Sequence, residues 1–502
     1  MIDRDQKTIV EDLCFTVPDG AKAALIGEEG NGKSTLLKWL YDPKLVEGYA
    51  AVTGDAFVSG TKGYLAQELP EAERSLSVYE YLCAHCRAED LTPKTLSRAM
   101  KEVDLPFDLA YSDQKTGSLS GGERVKLALA ALLINDCDVL FLDEPSNDLD
   151  LDTLLWLERF LASVKKTVLY ISHDEVLLSR TADSVIHLEL VRRKKIPRAT
   201  AANVPYDAYM RRRGAALEHQ SQVAQFEQKA FREKKERYLS IYNAVEHAQA
   251  TVSRQDPSAG RLLKKKMHTV TSIGRRLEKE QEALTEAPEA EWAIQPKWLG
   301  GEVKNGRIVL EYGPEPLLLG GRALAQNVRL RISGPERVCI VGRNGCGKTT
   351  LLKRLVPEIE KRGYNAFYMP QTYTDVLPPD RLPVEFLAPD GDKESVTEAR
   401  IFLGSMKYTA DEMSHSIRAL SGGQQAKLLL LKAILDRADV LVLDEPTRNL
   451  SPLSAPAVRT LLREFRGAIL LVTHDRTLIK ELDARTLRLT PDGLVPFDTS
   501  AL

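Results

Sequence analysis

Apolar residues in this chain are concentrated in short uninterrupted runs rather than in a strict alternation with polar residues. Three such runs lie near the start, at Ala23–Ile26, Val139–Leu142 and Thr167–Ile171, and two similar runs lie near the end, at Val440–Leu443 and Ala468–Val472. Runs of this kind are typical of strands buried on both faces, as in a parallel sheet that helices cover. The pattern therefore predicts α/β folds at both ends of the chain.

The middle of the chain has a different pattern. From Tyr206 to Val252 it contains no proline and a single glycine, and it is rich in Ala, Glu, Gln, Lys and Arg, which predicts a long helix. The cluster Arg254–Gly260 has turn-forming residues, and a second helix is expected from Arg261 to about Leu284. We therefore predict an antiparallel helical hairpin whose longer arm is on the order of 70 Å.

Four short motifs occur twice along the sequence. They are Gly27–Ser34 and Gly342–Thr349, Leu119–Glu123 and Leu420–Gln424, Leu142–Pro145 and Leu443–Pro446, and Ser172–Asp174 and Thr473–Asp475. The last three motifs recur after 301 positions, whereas the first recurs after 315, so the first copy carries 14 extra residues between its first two motifs. The repeats predict two homologous cassettes, at residues 1–190 and 300–502, joined by a linker at residues 191–299 that contains the hairpin.

Composition and charge narrow the class of protein. The chain has 502 residues, a hydrophobic fraction of 43%, a formal net charge of -2 and six scattered cysteines. No apolar run approaches the roughly 18 residues of a membrane helix, and we expect a cytoplasmic protein. The near-neutral total hides an asymmetry, because residues 191–280 carry 21 basic and 9 acidic side chains, leaving 48 basic and 62 acidic side chains elsewhere. This basic segment indicates a polyanionic partner.

The first repeated motif has the Gly-x4-Gly-Lys-Ser/Thr spacing, and both copies follow a predicted strand and open a predicted helix. Backbone amides at such a helix N-terminus cradle phosphates, and the lysine reaches the outer phosphates. Ser34 and Thr349 offer a hydroxyl to Mg²⁺. The predicted ATP-binding residues of these loops are Gly27, Gly30, Asn31, Gly32, Lys33, Ser34, Thr35, Gly342, Asn344, Gly345, Cys346, Gly347, Lys348, Thr349 and Thr350.

The third motif places two adjacent carboxylates at the end of a predicted buried strand. Asp143 and Asp444 are the predicted metal ligands, acting through water. Glu144 and Glu445 are predicted to polarise the attacking water. A lone glutamate is more often structural, but the recurrence of the whole strand-Asp-Glu-Pro motif argues against that reading.

Two further repeated features complete the predicted sites. His173 and His474 follow predicted strands, where they can contact the γ-phosphate, although a single loop histidine is more often solvated. A Ser-Gly-Gly sequence opens a predicted helix in each copy and makes a second anion site. Its residues are Ser120, Gly121, Gly122, Ser421, Gly422 and Gly423.

With these motifs the chain resembles the ATP-binding cassette (ABC) superfamily, and its two cassettes with a charged helical hairpin between them resemble the ABC-F subfamily. The resemblance covers nearly the whole chain. It implies two composite ATP sites, with Lys33 facing Ser421 and Lys348 facing Ser120, and it implies that Gln67 and Gln371 contact the metal and the water. ABC-F proteins are cytosolic ATPases that bind the ribosome at the exit-tRNA site and extend the hairpin toward the peptidyl-transferase region.

The resemblance also implies partners for the basic hairpin. Ribosomal RNA and tRNA are the expected partners, without a membrane subunit, and the chain is expected to be a monomer whose two cassettes pair with each other. The predicted RNA contacts near the hairpin tip are Arg254, Arg261, Lys264, Lys265 and Lys266. A solvated charged coiled coil is the alternative interpretation of this segment.

Departures from the family pattern affect the predicted function. Ser451 stands where most members have a carboxylate, which predicts unequal hydrolysis at the two sites. The chain has no large arm insertion between Gln67 and Ser120, and this compact plan resembles the branch that gives antibiotic resistance by ribosome protection. The alternatives are a general translation factor without a resistance role and, from another class, the ATPase subunit of an ABC transporter.

Overall fold

The computed structural model describes residues 1–3, 8–191, 196–251, 257–285 and 297–499, and the chain divides into two compact units. The first unit comprises Met1–Tyr206 together with Glu291–Leu502, and the second comprises Asp207–Ala290. Arg254, one of the predicted RNA contacts, lies outside the described residues.

The first unit contains all the strands in the described part of the chain. Those of the first cassette are β1 (Ile2–Asp3), β2 (Lys22–Gly27), β3 (Ala50–Ala51), β4 (Lys62–Leu65), β5 (Val139–Asp143), β6 (Thr167–Ile171), β7 (Ser184–Leu190) and β8 (Ile196–Ala202). Those of the second cassette are β9 (Ile308–Leu319), β10 (Arg322–Ser333), β11 (Arg337–Val341), β12 (Ala366–Met369), β13 (Val440–Asp444), β14 (Ala468–Val472), β15 (Arg485–Thr490) and β16 (Gly493–Pro496).

The helices fall into three groups, one in each cassette and one in the hairpin. Those of the first cassette are α1 (Lys33–Tyr41), α2 (Val78–His85), α3 (Pro93–Glu102), α4 (Gly121–Ile134), α5 (Leu151–Ser163) and α6 (Glu175–Thr181). The hairpin consists of α7 (Tyr206–Thr251) and α8 (Pro257–Glu282). Those of the second cassette are α9 (Lys348–Glu360), α10 (Pro383–Leu387), α11 (Lys393–Ser405), α12 (Ala410–Ser414), α13 (Gly422–Leu435), α14 (Ala455–Glu464) and α15 (Arg476–Glu481).

Each cassette is built on a six-stranded sheet with the same topology. The strand order is β4-β5-β6-β2-β7-β8 in the first cassette and β12-β13-β14-β11-β15-β16 in the second. All neighbours in these sheets are parallel except the last pair, β7 with β8 and β15 with β16. The strand that carries the phosphate loop is thus central in each sheet, and the strands that carry the Asp-Glu pair lie two places away. The first sheet includes β8 (Ile196–Ala202), which lies beyond residue 190, the predicted last residue of the first cassette.

The central strands are buried on both faces, which explains their uninterrupted apolar sequence. In β13, Leu441 and Leu443 join one apolar cluster, whereas Val440 and Val442 join another on the opposite face. Successive side chains of a strand point to opposite faces, so both faces of this sheet need apolar residues. The predicted α/β fold with two P-loop cassettes and a helical hairpin is confirmed.

The second unit is an antiparallel pair of helices. An ion pair joins Lys234 to Glu280, and the backbone amide of Thr285 donates to Glu227 Oε2 at 2.7 Å, so the contacts run in opposite directions along the two helices. Gly274 permits a close approach, because a Cβ atom there would lie 2.6 Å from Tyr238 Oη. Within the described ranges, no helix of the chain is both long enough and apolar enough to cross a lipid bilayer.

Candidate active sites

The phosphate loop of the first cassette joins β2 to α1 and folds tightly around a lysine. Lys33 Nζ donates hydrogen bonds to the carbonyl oxygens of Gly27 and Glu28, both at 2.9 Å, and burial lowers the pKa of Lys33. Gly27 has φ 151°, and a Cβ atom there would lie 2.2 Å from the Leu188 carbonyl oxygen, so a side chain at this position is excluded. The loop thus holds a buried cation next to backbone amides at a helix N-terminus, which suits an anionic ligand.

The second phosphate loop, between β11 and α9, has the same arrangement. Lys348 Nζ donates to the carbonyl oxygens of Gly342 at 2.7 Å and Arg343 at 3.1 Å. The asparagines of the two loops differ in their contacts. Asn31 is buried and donates to the Leu188 carbonyl within its own cassette at 3.0 Å, whereas the exposed Asn344 donates to the Asp148 carbonyl of the other cassette.

Each loop hydroxyl contacts the aspartate at the end of the neighbouring strand. Ser34 Oγ donates to Asp143 Oδ1 at 2.8 Å, and Thr349 Oγ1 donates to Asp444 Oδ2 at 2.6 Å. Tyr64 Oη also donates to Asp143, at 2.9 Å. Burial raises the pKa of both aspartates. Hydroxyl and carboxylate oxygens are hard ligands of the kind Mg²⁺ prefers, and this donor set fits that ion.

Glu144 lies at the centre of a hydrogen-bond network. His173 Nε2 lies 3.1 Å from Glu144 Oε1, Gln67 Nε2 donates to Oε2 at 3.1 Å, and the Asn147 amide also donates to Oε2. Burial alone would raise the pKa of Glu144, but the hydrogen bond and charge of His173, with the other partners, bring it below its ordinary value. This glutamate is therefore an anion at neutral pH.

Glu445 occupies the equivalent position with weaker partners. The Thr473 hydroxyl and the His474 backbone amide donate to Oε2 at 3.2 and 3.3 Å, and His474 Nε2 lies 3.6 Å from Oε1. Burial raises the pKa of Glu445 to about 7 and, with the charge of Lys348, lowers that of His474 to about 3. Both glutamates have positive φ, 50° for Glu144 and 54° for Glu445, a strained conformation found at functional sites.

Residues of both cassettes line the larger cavity, of about 890 Å³. The second cassette contributes Asn344, Gly345, Gly347, Lys348, Thr349, Thr350, Gln371, Asp444, Glu445 and His474, and the first contributes Ser120, Gly121 and His173. The structure thus brings Lys348 and Ser120 to one cavity. This volume lies within the range of small-ligand pockets.

A smaller cavity, of about 310 Å³, lies between the other pair of motifs. Its lining includes Gly30 and Asn31 of the first cassette and Ser421 and Gly423 of the second. The Gly423 backbone amide donates to Glu29 Oε2 across this contact at 3.2 Å. Lys33, Ser34, Gln67, Asp143 and Glu144 are not part of its lining.

The remaining predicted residues have structural contacts of their own. Ser120 Oγ accepts from the Glu123 amide at 3.2 Å and Ser421 Oγ accepts from the Gln424 amide at 3.3 Å, so both serines cap helices. Gly122 and Gly422 lie in or at the starts of the same helices, α4 and α13. Cys346, within its phosphate loop, and Thr35, in the first turn of α1, are half-buried.

Sequence reasoning missed several residues that the structure places at these sites. Tyr64, Asn147 and Glu29 make the contacts described above, and the Leu450 carbonyl lies 2.9 Å from His173 Nδ1, across the cassette boundary. Tyr64 lies in the strand before Gln67, so its position in the motif was a usable signal. A backbone carbonyl such as that of Leu450 carries no signal in the sequence.

Comparison with known proteins gives matches along the whole chain. A family model described as ABC transporter matches residues 10–147 and 325–448. Probable ATP-binding protein YheS of Escherichia coli (strain K12) is 26% identical over 543 aligned residues, which cover 99% of this chain and 79% of that protein. ABC transporter F family member 2 of Arabidopsis thaliana is 25% identical over 541 residues, covering 98% of this chain and 75% of that protein.

Solved structures share the fold at lower identity. A complex of the archaeal ribosomal stalk protein aP1 with the archaeal ribosome recycling factor aABCE1 matches with a TM-score of 0.57 and 19% identity, covering 94% of this chain and 84% of that chain. A model of ribosome-bound archaeal Pelota and ABCE1 matches with a TM-score of 0.58 and 18% identity, covering 97% and 76% respectively.

Proposed function

Because this chain belongs to the ABC transporter family and is of its ABC-F type, we propose that it is a ribosome-binding ATPase whose interdomain hairpin acts near the peptidyl-transferase region. As a member of that family the chain binds nucleotide and hydrolyses ATP. The observation that carries the ribosomal part of the proposal is the basic helical hairpin between two ATPase cassettes.

In the proposed reaction the larger cavity holds ATP between the two cassettes. Lys348 and the amides of its loop bind the phosphates, and the N-terminus of α4 at Ser120 and Gly121 approaches the nucleotide from the other side. Thr349, Asp444 and Gln371 would hold Mg²⁺, which when bound neutralises phosphate charge. Glu445 accepts a proton from the attacking water, and His474 contacts the γ-phosphate.

The ATP site at Lys33 uses the equivalent residues, with the roles of the two cassettes exchanged. Ser34, Asp143 and Gln67 would hold its metal ion, Glu144 would accept the proton of the attacking water, and His173, whose ring contacts Glu144, would contact the γ-phosphate. Ser421 and Gly423 close this site from the second cassette. Because the Glu144 network and the Glu445 network differ, and because Ser451 provides no carboxylate, we propose that the two sites hydrolyse ATP at unequal rates.

Charge and exposure support RNA as the partner of the hairpin. Arg261, Lys264, Lys265 and Lys266 are all exposed on α8, near the junction of the two helices. RNA is a dense polyanion that binds such clusters with a strong dependence on salt. The similar solved structures are an archaeal ribosome recycling factor in complex with a ribosomal stalk protein and a ribosome-bound archaeal complex, which supports the same kind of partner.

Co-sedimentation with ribosomes tests the proposal directly. The variant Glu144→Gln/Glu445→Gln should bind ATP without hydrolysing it and should therefore sediment with ribosomes when ATP is present. Adding Lys33→Ala/Lys348→Ala to this variant gives a matched control that should stay in the supernatant, because it lacks the phosphate-binding lysines. Failure of the double glutamine variant to sediment, while the wild-type chain hydrolyses ATP, would refute the ribosomal role and leave the ATPase function intact.

Antibiotic resistance by ribosome protection is the finer part of the proposal. Its support is the compact first cassette, in which 53 positions separate Gln67 from Ser120. Susceptibility of an expressing host to a panel of ribosome-targeting drugs tests it, with the Glu144→Gln/Glu445→Gln variant as the inactive control. Unchanged susceptibility to every drug would favour a general translation factor.

A further inference from the structure

Two arginines of the second cassette are buried against acidic residues of the first. The side chain of Arg476 is fully buried, and its guanidinium donates to Glu158 at 2.6 Å and to both oxygens of Asp174 at 3.1 Å. The side chain of Arg459 is 4% exposed and donates to Glu175 through both terminal nitrogens, at 3.0 and 3.1 Å. Buried charges of this kind are stable only when they are paired.

The four charged residues occupy equivalent positions of the internal repeat. Glu158 and Arg459 are 301 positions apart, and so are Glu175 and Arg476. This is the spacing that relates the Asp-Glu and His-Asp motifs. The two ion pairs across the interface are therefore one contact repeated by the internal symmetry, with the acidic partner always in the first cassette and the basic partner always in the second.

The sign of the charge is also reversed at a third pair of equivalent positions, 180 and 481. Arg180 of the first cassette contacts Glu158 at 2.7 Å, and Glu481, 301 positions later, accepts from Arg459 at 3.0 Å. Each cassette thus carries an internal counter-charge for its own interface residue. Asp174 and its equivalent Asp475 are not reversed, and both cap the helix that follows, α6 and α15 respectively.

We propose that this charge-reversed cluster, Glu158 and Glu175 with Arg459 and Arg476, determines which cassettes pair. Two first cassettes from different chains would bring Glu158 of one chain against Glu175 of the other. Two second cassettes would bring Arg459 against Arg476. Like charges at a buried contact oppose association, so the heterotypic pairing within one chain is favoured over both homotypic pairings between chains.

The environment of the cluster makes this discrimination effective. Burial raises the pKa of Glu175, and it opposes the charged form of Arg459, yet the neighbouring carboxylates of Glu175, Asp475 and Glu481 raise the pKa of Arg459 on balance. An unpaired charge here would lose water without gaining a partner. The cluster also reaches the larger cavity, whose lining includes Glu175 and Arg459.

Two double variants with closely matched chemistry test the proposal. Glu158→Arg/Arg459→Glu exchanges the residues of one repeat position, so both contacts within the chain become like-charged, while both homotypic contacts become complementary. Glu175→Arg/Arg459→Glu exchanges the two members of one ion pair, so both ion pairs within the chain stay complementary and Arg476 keeps its contacts with Glu158 and Asp174. Each variant replaces one glutamate and one arginine, and the net charge of the chain is unchanged.

Pairing is measured in the full-length chain with a bifunctional thiol cross-linker. Cysteines replace Asp152 and Arg488, whose side chains meet across the cassette boundary at 3.0 Å, in a background in which the exposed Cys14 and Cys83 are serines. Light scattering of the same samples reports whether the mass is that of a 55.9 kDa monomer or twice that value.

We expect the intrachain cross-link to form in the parent chain and in Glu175→Arg/Arg459→Glu. In Glu158→Arg/Arg459→Glu its yield should fall at least about tenfold, and light scattering should show a doubled mass where the homotypic contacts form. An undiminished intrachain cross-link in Glu158→Arg/Arg459→Glu would overturn the proposal, as would an equal loss in both variants. The test does not involve ribosomes, so its outcome is independent of the ribosomal role.

Discussion

The two predicted catalytic glutamates should give the two ATP sites different pH dependences. Glu144→Gln leaves only the site of Glu445 able to use a carboxylate, and Glu445→Gln leaves only the site of Glu144. The pKa of Glu445 is raised by burial to about 7, whereas that of Glu144 lies below its ordinary value because His173 and other partners stabilise the anion. Of the two glutamates, only Glu445 changes its charge near neutral pH.

The expected magnitude follows from the fraction of ionised carboxylate. A group with a pKa of about 7 is roughly one-tenth ionised at pH 6 and roughly nine-tenths ionised at pH 8. If the carboxylate is the base that accepts the proton of the attacking water, the ATPase rate of Glu144→Gln should rise about tenfold between these pH values. The rate of Glu445→Gln should stay nearly constant, because Glu144 is ionised throughout.

The assay is steady-state phosphate release at saturating Mg-ATP, measured from pH 6 to pH 8 for both single variants. The double variant Glu144→Gln/Glu445→Gln gives the background rate at each pH. Equal dependence of the ATPase rate on pH in the two single variants would refute the expectation that the carboxylates of the two sites have different pKa values. Equal residual rates at every pH would also refute the expectation that the sites hydrolyse ATP unequally.

Three further predictions concern stability, site coupling and RNA binding. The folded-state pKa of Glu445 is above its ordinary value of 4.5, so the contribution of Glu445 to the free energy of unfolding should fall by roughly 3 kcal/mol as pH rises from 4.5 to about 7. Calorimetry should therefore show that Glu445→Gln raises the Tm more at pH 8 than at pH 5. In the Glu445→Gln background, Ser451→Asp should raise the ATPase rate of the site of Glu144 by about fivefold, which corresponds to roughly 1 kcal/mol. An unchanged ATPase rate would exclude the missing carboxylate as the cause of unequal hydrolysis at the two sites. Replacing Lys264, Lys265 and Lys266 by serine should weaken ribosome binding and reduce its salt dependence, whereas unchanged binding in a salt titration would exclude these lysines as RNA contacts.

Much of the fold followed from the sequence, because local patterns specify it. Val139–Leu142 and Val440–Leu443 are predicted as buried strands from their apolar runs, and each forms the second strand from the edge of a six-stranded sheet. The hairpin was predicted from helix-forming residues on both sides of a turn cluster, although α8 begins at Pro257 rather than at Arg261. These features depend on the periodicity and conformational preferences of neighbouring residues.

The difference between the two sites was less accessible from sequence. Asn147 and Arg448 are equivalent in the repeat, but only the structure shows that Asn147 donates to Glu144 while Arg448 pairs with Asp148. The motif around the two glutamates is nearly identical, yet their pKa values are shifted in opposite directions. A pKa depends on burial and on partners that come from distant parts of the chain.

The sequence alone determined the parts of each site, since the phosphate loop, the Asp-Glu pair and the helix-capping serine are local motifs whose chemistry depends on adjacent residues. The tertiary structure decided which parts meet. It placed Lys348 and Ser120 at one cavity, and it placed Arg476 against Glu158 and Asp174, residues more than 300 positions away along the chain. The charge reversal was present in the aligned repeats, but its role became visible only once packing had buried these charges together, because a charge affects pairing strongly only where water is excluded.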